Sequence, residues 1–285
     1  MLIAMAKDIR SASPDPHRPI DGAALAGVAA TTLWTLRNRA VEAMRTDRVL
    51  QDPLAVELYR QISFDYDKFG APNQVHPLRA LAFDDAVRAY VATHPAATVV
   101  ALGEGLQTGF WRIADPKPTW LSVDLAPVIE LRNRLLPAEP KITTLPVSAL
   151  DRSWMDAVDP TDGVIITAEG LLMYFHEHDV LDLIADCAER FPGGQLIFDS
   201  IPARFSAKTM RGMRFTERYT APPMPFSLSV PEALALPERI AGVAAARDVL
   251  PPPGRGVWGN RFLRKAAQLP PLRNIRPCIT ILDFA

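Results

Sequence analysis

A glycine turn directly after a short apolar run constrains the fold of this chain most strongly. Residues 98–102 read TVVAL, and such a run predicts a buried strand. The run ends at Gly103, Glu104 and Gly105, where glycines allow a tight turn and a close approach of a ligand to the backbone. Apolar residues at helical spacing predict a helix over 106–113. Strand, turn and helix are typical of the first half of a nucleotide-binding βαβ unit, although a bare turn that binds nothing remains possible.

An acidic residue after the next predicted strand indicates the class of ligand. Residues 120–123 predict a second buried strand, which ends at Asp124. Dinucleotide-binding folds place a ribose-binding acid about 20 residues after the glycines, and a carboxylate there can accept hydrogen bonds from both ribose hydroxyls. Asp124 could also cap a helix that starts near Pro127. The pattern fits NAD, FAD or S-adenosylmethionine, because all three carry adenosine.

The rest of the chain alternates strands with helices, which favours a mostly parallel, doubly wound α/β sheet. The further elements are expected as strands at 141–147, 163–167, 195–200, 242–250 and 274–284, and as helices at 127–136, 151–158, 177–190 and near 258–268. Ligands bind such sheets at the carboxyl ends of the strands. Predicted strand ends carry Gly103, Gly105, Asp124, Ser148 and Glu169, which predicts one shared site.

The chain before the sheet divides into two predicted parts. Residues 1–20 are rich in serine and proline and are expected to be a flexible tail. Residues 21–95 are expected to form a helical N-terminal cap. Its helices are predicted over 23–44, from Pro53 and over 77–92, with residues 63–73 as a loop. The core domain then covers residues 96–285.

Composition excludes several classes of protein and partner. Net charge is −1 and charged residues make up 22%, so bulk charge gives no reason to expect a nucleic-acid partner. Cys187 and Cys278 are isolated in apolar surroundings, which indicates a reducing compartment and no metal site. The sequence has neither a signal peptide nor an uncharged apolar run of about 18 residues. We therefore expect a cytoplasmic protein without a membrane partner, and the sequence does not indicate an oligomeric state.

Several motifs in order resemble one known family. RAVE, RTDR and DPLA, within residues 39–55, look like the opening of the leucine carboxyl methyltransferase superfamily. VVALGEGLQTGFWR, WLSVDL, LRNRLLP, ITAEGLLMYF and FPGGQLIFDSIP resemble its tetracenomycin-type polyketide O-methyltransferase branch. The resemblance covers about residues 25–285. It implies a class I, Rossmann-like methyltransferase with a seven-stranded sheet whose last strand is antiparallel. It also implies S-adenosyl-L-methionine as cofactor and methyl transfer to an oxygen, usually of a carboxylate.

The resemblance also implies a set of cofactor-binding residues, matched position by position. They are Arg79 near the cofactor carboxylate, Gly103, Glu104 and Gly105 in the turn, Asp124 and Leu125 at the ribose, Ser148, Ala149 and Leu150 by the adenine, and Glu169 by the methionine part. Arg79 could instead be a solvated helix arginine. Gln107 and Gly109 depart from the family pattern, which often has an acid and an arginine at these positions, so those two contacts are absent.

An insertion at about 202–230 is predicted to be a lid over the methyl acceptor. It interleaves arginines with aromatic residues, which suits a flat, anionic aromatic ligand. An exposed basic helix would have the same composition. The expected acceptor contacts are Tyr174, Arg204, Arg211, Arg214 and Tyr219.

The expected reaction needs no obvious catalytic group. Methyl transfer from a sulfonium is an in-line displacement that depends mainly on positioning. A carboxylate acceptor is already ionised at neutral pH, whereas a phenol would benefit from a base. His76, one turn before Arg79, is the one candidate base, and we assign no catalytic residue. Two alternatives stay open: an NAD(P)-dependent oxidoreductase, although no Tyr-x-x-x-Lys pair is visible, and a catalytically silent small-molecule-binding protein.

Overall fold

The centre of the molecule is a seven-stranded sheet. A computed structural model describes residues 20–25, 27–113 and 117–285, so the predicted tail lies outside the described residues except for Ile20. The strands in chain order are β1 (Thr98–Leu102), β2 (Thr119–Val123), β3 (Ile142–Leu145), β4 (Val164–Ala168), β5 (Gln195–Ser200), β6 (Val243–Val249) and β7 (Cys278–Phe284). Their spatial order is β6-β7-β5-β4-β1-β2-β3, and β7 runs antiparallel to both of its neighbours. The predicted fold class is therefore confirmed, including the antiparallel last strand.

Eleven α-helices surround the sheet within the described residues. They are α1 (Thr31–Ala43), α2 (Pro53–Gln61), α3 (Val75–Thr93), α4 (Gly109–Arg112), α5 (Ala126–Leu135), α6 (Glu177–Arg190), α7 (Ala203–Thr209), α8 (Val230–Leu234), α9 (Leu236–Arg239), α10 (Arg261–Ala266) and α11 (Pro270–Arg273). Short 3₁₀ turns lie at Gly22–Ala24, Tyr66–Phe69, Arg152–Ala157, Leu172–Tyr174 and Gly256–Gly259. Two small strand pairs join Ile20–Asp21 to Ile62–Ser63 and Arg214–Thr216 to Tyr219–Thr220. None of the helices in the described part of the chain could cross a bilayer.

The central strands are apolar throughout because both faces of the sheet are covered. Val99 and Ala101 of β1 contact one buried cluster, which includes Tyr90 of α3. Val100 and Leu102 contact a second cluster on the opposite face, which includes residues of α6. Successive side chains of a strand point to opposite faces, so a strand covered on both sides reads as a continuous apolar run.

The first helices pack on the sheet domain through a separate apolar cluster. Leu33 and Leu36 of α1 contact Leu58 of α2, and the same cluster includes Leu106 and Val128 of the sheet domain. The long helix α3 instead packs directly on the sheet, in clusters that also contain residues of β1, β5 and β7. The first two helices therefore sit on the carboxyl-end edge of the sheet through residues next to the glycine turn.

The predicted helix over 106–113 is wrong over its first half. The structure has an irregular loop there and a single helical turn, α4. Side chains from other elements bind the backbone groups that a helix would use. Leu106 N donates to Thr32 Oγ1 at 2.7 Å, and Leu106 O accepts from Arg39 Nη2 at 2.6 Å. Gln107 O accepts from Arg132 Nη1 at 2.9 Å.

Other predicted bounds are wrong by several residues. The helix predicted from residue 23 begins only at Thr31, and the strand predicted from 274 begins at Cys278, after α11. The helix predicted over 258–268 is split because Asn260 caps a new helix, accepting hydrogen bonds from the N–H groups of Phe262 and Leu263. The predicted loop over 63–73 contains a 3₁₀ turn, and the segment 152–157 is 3₁₀ rather than α.

Candidate cofactor and acceptor site

A cavity of about 290 Å³ lies where the carboxyl ends of β1, β2 and β4 face α1. Ten of the residues singled out from the sequence line it: Arg79, Gly103, Glu104, Gly105, Asp124, Leu125, Ser148, Ala149, Glu169 and Tyr174. Leu150, by contrast, packs against the sheet core. The cavity also takes lining from α1 and the residues before it, namely Val28, Ala29, Thr31, Thr32 and Thr35. The sequence patterns did not predict these last residues, because a helical pattern does not show which of its residues face a ligand.

The glycine turn requires glycine because of neighbouring protein atoms. Gly103 and Gly105 have φ of +59° and +57°, in the left-handed region that side chains disfavour. A Cβ on Gly103 would lie 2.6 Å from Leu171 Cδ1, and one on Gly105 would lie 2.5 Å from Thr32 Oγ1. The sequence indicated that these glycines let a ligand approach the backbone, but a side chain here would first meet the turn after β4 and helix α1.

Asp124 stands against the turn with both carboxylate oxygens oriented. Its Oδ2 accepts a hydrogen bond from Gly105 N at 2.7 Å, and its Oδ1 accepts one from Leu125 N at 2.7 Å. Burial raises the pKa of Asp124 above its ordinary value, while these N–H groups and Arg132 oppose the shift. Each oxygen keeps a lone pair that can accept a further hydrogen bond.

Glu104 lies behind the turn and pairs with a cation of α5. Its Oε2 is 2.8 Å from Arg132 Nη2, and both side chains are almost fully buried. Burial raises the pKa of Glu104, and Arg132 opposes the shift. Arg132 Nη1 also donates to Gly105 O at 2.7 Å. This pair therefore fixes the turn from the side of the sheet, and the sequence motif LRNRLLP contained Arg132 without showing its partner.

Arg79 is held between two carboxylates at the other end of the cavity. Its Nε donates to Glu169 Oε1 at 3.0 Å, and its Nη1 donates to Asp199 Oδ2 at 2.9 Å. Glu169 also accepts from Gln107 Nε2 at 2.7 Å, and Asp199 accepts from Gly170 N at 2.5 Å. Burial raises the pKa of Glu169, and Arg79 opposes the shift.

Asp199 was missed as a site residue, although the sequence carried a signal for it. It is an acid that directly follows the three apolar residues of strand β5, and a buried carboxylate is rare without a partner. The cluster carries one guanidinium against two carboxylates, so one formal negative charge is left over when both acids are ionised.

An aromatic cluster joins α1 to the predicted lid. The Trp34 ring lies 4.8 Å from Phe215, 5.6 Å from Tyr219 and 5.7 Å from Phe69 between centroids. Burial raises the pKa of Tyr219 and of Tyr174, and Tyr174 lines the cavity itself. Of the predicted acceptor contacts, Tyr174 therefore lines the cavity, whereas Tyr219 belongs to the aromatic cluster, which does not line it.

The arginines of the predicted lid lie outside the cavity. Arg204, Arg211 and Arg214 are exposed, and none of these described side chains lines the cavity. Arg214 donates to the backbone oxygen of Glu217 within its own hairpin. The arrangement matches the alternative of an exposed basic surface.

His76 has the environment of a neutral imidazole. Its Nδ1 lies 2.7 Å from Asn38 Nδ2, and its ring meets Trp34 edge-on at 5.2 Å. Burial, together with Arg79 and Arg39, lowers the pKa of His76 well below 6.5. A group with so low a pKa is a weak proton acceptor.

The strand order and the position of the cavity define the class of protein. An antiparallel strand between β5 and β6 does not occur in the six-stranded dinucleotide-binding order 3-2-1-4-5-6. The architecture is that of a class I S-adenosylmethionine-dependent methyltransferase. Two solved structures have the same fold: a putative methyltransferase from Thermobifida fusca (15% identity, TM-score 0.53, 87% of this chain and 94% of that one) and a DUF574 family protein from Streptomyces avermitilis (18%, 0.51, 88% and 97%).

Sequence comparison then gives the family. The family described as leucine carboxyl methyltransferase matches residues 32–188, and the chain belongs to it. A relative, the tetracenomycin polyketide synthesis O-methyltransferase TcmP of Streptomyces glaucescens, is 29% identical over 223 residues, covering 77% of this chain and 81% of its own. The protein is therefore an S-adenosylmethionine-dependent methyltransferase, and the predicted resemblance is confirmed. The oxidoreductase alternative is wrong.

Proposed function

We propose that this enzyme transfers the methyl group of S-adenosylmethionine to a carboxylate oxygen of a small, polyketide-like aromatic acceptor in the cytoplasm. One observation carries the proposal: a single cavity combines the glycine turn, Asp124 and Arg79 with the aromatic side chains of Tyr174 and Phe175. The similarity to a polyketide O-methyltransferase supports the acceptor class. The free, buried thiols of Cys187 and Cys278 are compatible with a reducing compartment.

The lining of the cavity fits the parts of the cofactor. Asp124 would accept hydrogen bonds from the ribose hydroxyls with its remaining lone pairs. Apolar lining from Val128, Val147 and Ala149 suits the adenine ring. At the other end, the excess carboxylate of the Arg79 cluster favours the ammonium and sulfonium charges of the methionine part. When bound, S-adenosylmethionine supplies an electrophilic methyl group.

A carboxylate is the acceptor group that these residues suit best. His76 would be a poor base for a phenol of pKa near 10, because its own pKa is lowered. A carboxylate needs no base, and its charge is attracted to a sulfonium in a site of low dielectric constant. The residues around the acceptor then have one task, which is to hold an oxygen in line with the methyl group. Tyr174 and Phe175, which both line the cavity, would hold a flat acceptor in this way.

The test is transfer of a tritiated methyl group to matched aromatic acceptors. One acceptor carries a carboxylate, the second a phenol in its place, and the third both groups. We expect label on the first and third acceptors, and release of that label as methanol in mild alkali, because esters hydrolyse and aryl ethers do not. The Asp124→Ala variant is the matched control and should give less label at a subsaturating cofactor concentration.

Three results would contradict different parts of the proposal. Label that survives alkali would place the methyl group on a phenolic oxygen and reject the carboxylate. Tight cofactor binding without transfer to any acceptor of this class would reject the aromatic acceptor. Failure of the intact protein to bind S-adenosylmethionine or S-adenosylhomocysteine in calorimetry would reject the assigned cavity.

A further inference from the structure

The segment between β6 and β7, residues 250–277, differs from the rest of the chain in its burial. None of its residues is buried, although it contains two helices, α10 and α11. Its exposed large apolar side chains are Val257, Trp258, Phe262, Leu263, Leu269, Leu272 and Ile275. Phe262 is 84% exposed and Val257 is 67% exposed. A contiguous stretch of this kind is typical of a surface that binds a partner.

The same segment is strongly cationic. It contains six arginine and lysine residues and no acidic residue, in a chain whose net charge is −1. Two of the arginines attach the segment to the fold. Arg255 Nη1 lies 2.6 Å from Glu42 Oε1, at the end of α1, and Arg276 pairs with Asp248 of β6. The segment is therefore held in place at both ends by ion pairs.

Three cations in the middle of the segment have no such role. Arg261, Lys265 and Arg273 form no ion pair with any described acidic residue. Arg261 and Lys265 are exposed and lie four positions apart on α10, so they share one side of that helix. Phe262 and Leu263 of the same helix are also exposed. The occupant of this surface must accept positive charge and apolar side chains together.

We infer that residues 250–277 bind the surface of an anionic lipid bilayer. Helices that lie in a membrane interface combine lysine and arginine with tryptophan, phenylalanine and leucine, as this segment does. The apolar side chains protrude, and a fluid bilayer accepts protruding groups without a matching pocket. A second copy of this chain would bring the same cations together across a symmetric interface, which is unfavourable. The proposed contact is with the surface of the membrane. It contradicts the expectation from sequence that the chain has no membrane partner.

The surface also adjoins the candidate site. Gln74 Oε1, directly before α3, accepts from Arg255 N at 2.7 Å, and α3 carries both His76 and Arg79. A bilayer bound here would lie next to the first turn of α3. Binding would thus bring the helix that carries Arg79 close to the phase in which apolar acceptors concentrate. The lipid contact itself does not depend on methyl transfer.

The experiment is cosedimentation of the purified full chain with vesicles of phosphatidylcholine, with and without phosphatidylglycerol. We expect binding to the anionic vesicles at low salt, weaker binding as salt rises, and little binding to phosphatidylcholine alone. Phe262→Ala should lower the partition coefficient about tenfold, the scale of one apolar side chain lost from the interface. Loss of one cation should lower the partition coefficient about fivefold. The double variant Arg261→Glu with Lys265→Glu should lower it by much more than that, because each substitution also adds a negative charge.

Matched controls come from the predicted lid. Met210→Ala removes an exposed apolar side chain elsewhere, and Arg204→Glu reverses an exposed cation elsewhere. Both should bind vesicles like the unaltered protein. Equal binding by the Phe262 and control variants would overturn the inference, as would absence of binding to anionic vesicles at low salt. Light scattering that shows a dimer dissociated by Phe262→Ala, without vesicle binding, would assign the surface to a second copy instead.

Discussion

Two groups of arginines in this protein have opposite environments. Beside the glycine turn, Arg39 is fully buried and the side chain of Arg112 is 7% exposed. Both pair with Asp52, and these cations hold the pKa of Asp52 below its ordinary value although burial opposes the shift. The arginines of the lid, such as Arg204 and Arg211, are exposed. The sequence suggested ligand contacts for the lid group because its cations alternate with aromatic residues. The comparison teaches that partners and burial, rather than composition, decide what an arginine does.

The largest effect is expected where a buried arginine is removed. Arg39→Met keeps similar volume but leaves Leu106 O without its donor and takes one cation from Asp52. We expect the free energy of unfolding to fall by about 3–5 kcal/mol, the scale for breaking a buried pair. Urea unfolding measures it. Arg204→Met is the matched control and should change stability by less than about 0.5 kcal/mol. Equal effects of the two substitutions would remove the distinction between the groups.

Next in size is the loss of cofactor affinity in Asp124→Ala. The carboxylate is oriented by Gly105 N and Leu125 N, so its remaining lone pairs are aimed before any ligand arrives. Affinity for S-adenosylhomocysteine should fall by about 1.5–3 kcal/mol in calorimetric titration, the scale for a lost hydrogen bond to a charged group. Asp182→Ala, an exposed carboxylate on α6, is the control. Unchanged affinity in a folded variant would remove Asp124 from the site.

A smaller effect is expected from the turn itself. Gly105→Ala places a side chain at φ +57° and against Thr32 Oγ1. The conformation alone should cost roughly 1–2 kcal/mol of stability. Adding Thr32→Ala should recover the part of the loss that comes from the contact, but also remove the acceptor of Leu106 N. If Gly105→Ala alone is as stable as the parent protein, the turn accommodates the side chain without an energetic cost.

The lid arginines should have the smallest kinetic effect. Because the Arg211 side chain is exposed, Arg211→Met should leave both the KM for the acceptor and the affinity for the cofactor unchanged. The sequence instead placed Arg211 among the acceptor contacts, and loss of such a contact would raise KM. Initial-rate measurements over a range of acceptor concentration decide between these outcomes, and a KM raised several-fold would show that the lid closes over the acceptor during turnover.

Turnover should also be nearly independent of pH between 8 and 6. A base that titrates in this window would lose its proton-accepting form, and the rate with it, as pH falls. The pKa of His76 lies well below 6.5, so its form does not change across the window, and a carboxylate acceptor also stays ionised there. If kcat falls as the pH drops from 8 to 6, the reaction is assisted by a base.

Local sequence patterns predicted the sheet, and together with the family resemblance they predicted nearly half of the cavity lining. Gly103, Asp124 and Glu169 follow apolar runs, and parallel strands bring such ends to one edge. The loop at 106–108 could not be predicted, because its conformation depends on Thr32, Arg39 and Arg132, which are distant in sequence. The position of the lid arginines likewise depends on long-range packing. Pattern reasoning therefore located strand ends, but it could not tell which side chains would bind the backbone between them.

The side-chain bonds to the glycine turn have a consequence for its motion. Loop amides normally exchange with solvent quickly, because their hydrogen bonds are made to water. Here the N–H of Gly105 is bound by Asp124, and that of Leu106 by Thr32. Amide hydrogen exchange at these two positions should therefore be as slow as in the flanking strand β1, although neither residue lies in a helix or strand. A loop protected in this way before any ligand is present loses little conformational entropy when a ligand binds.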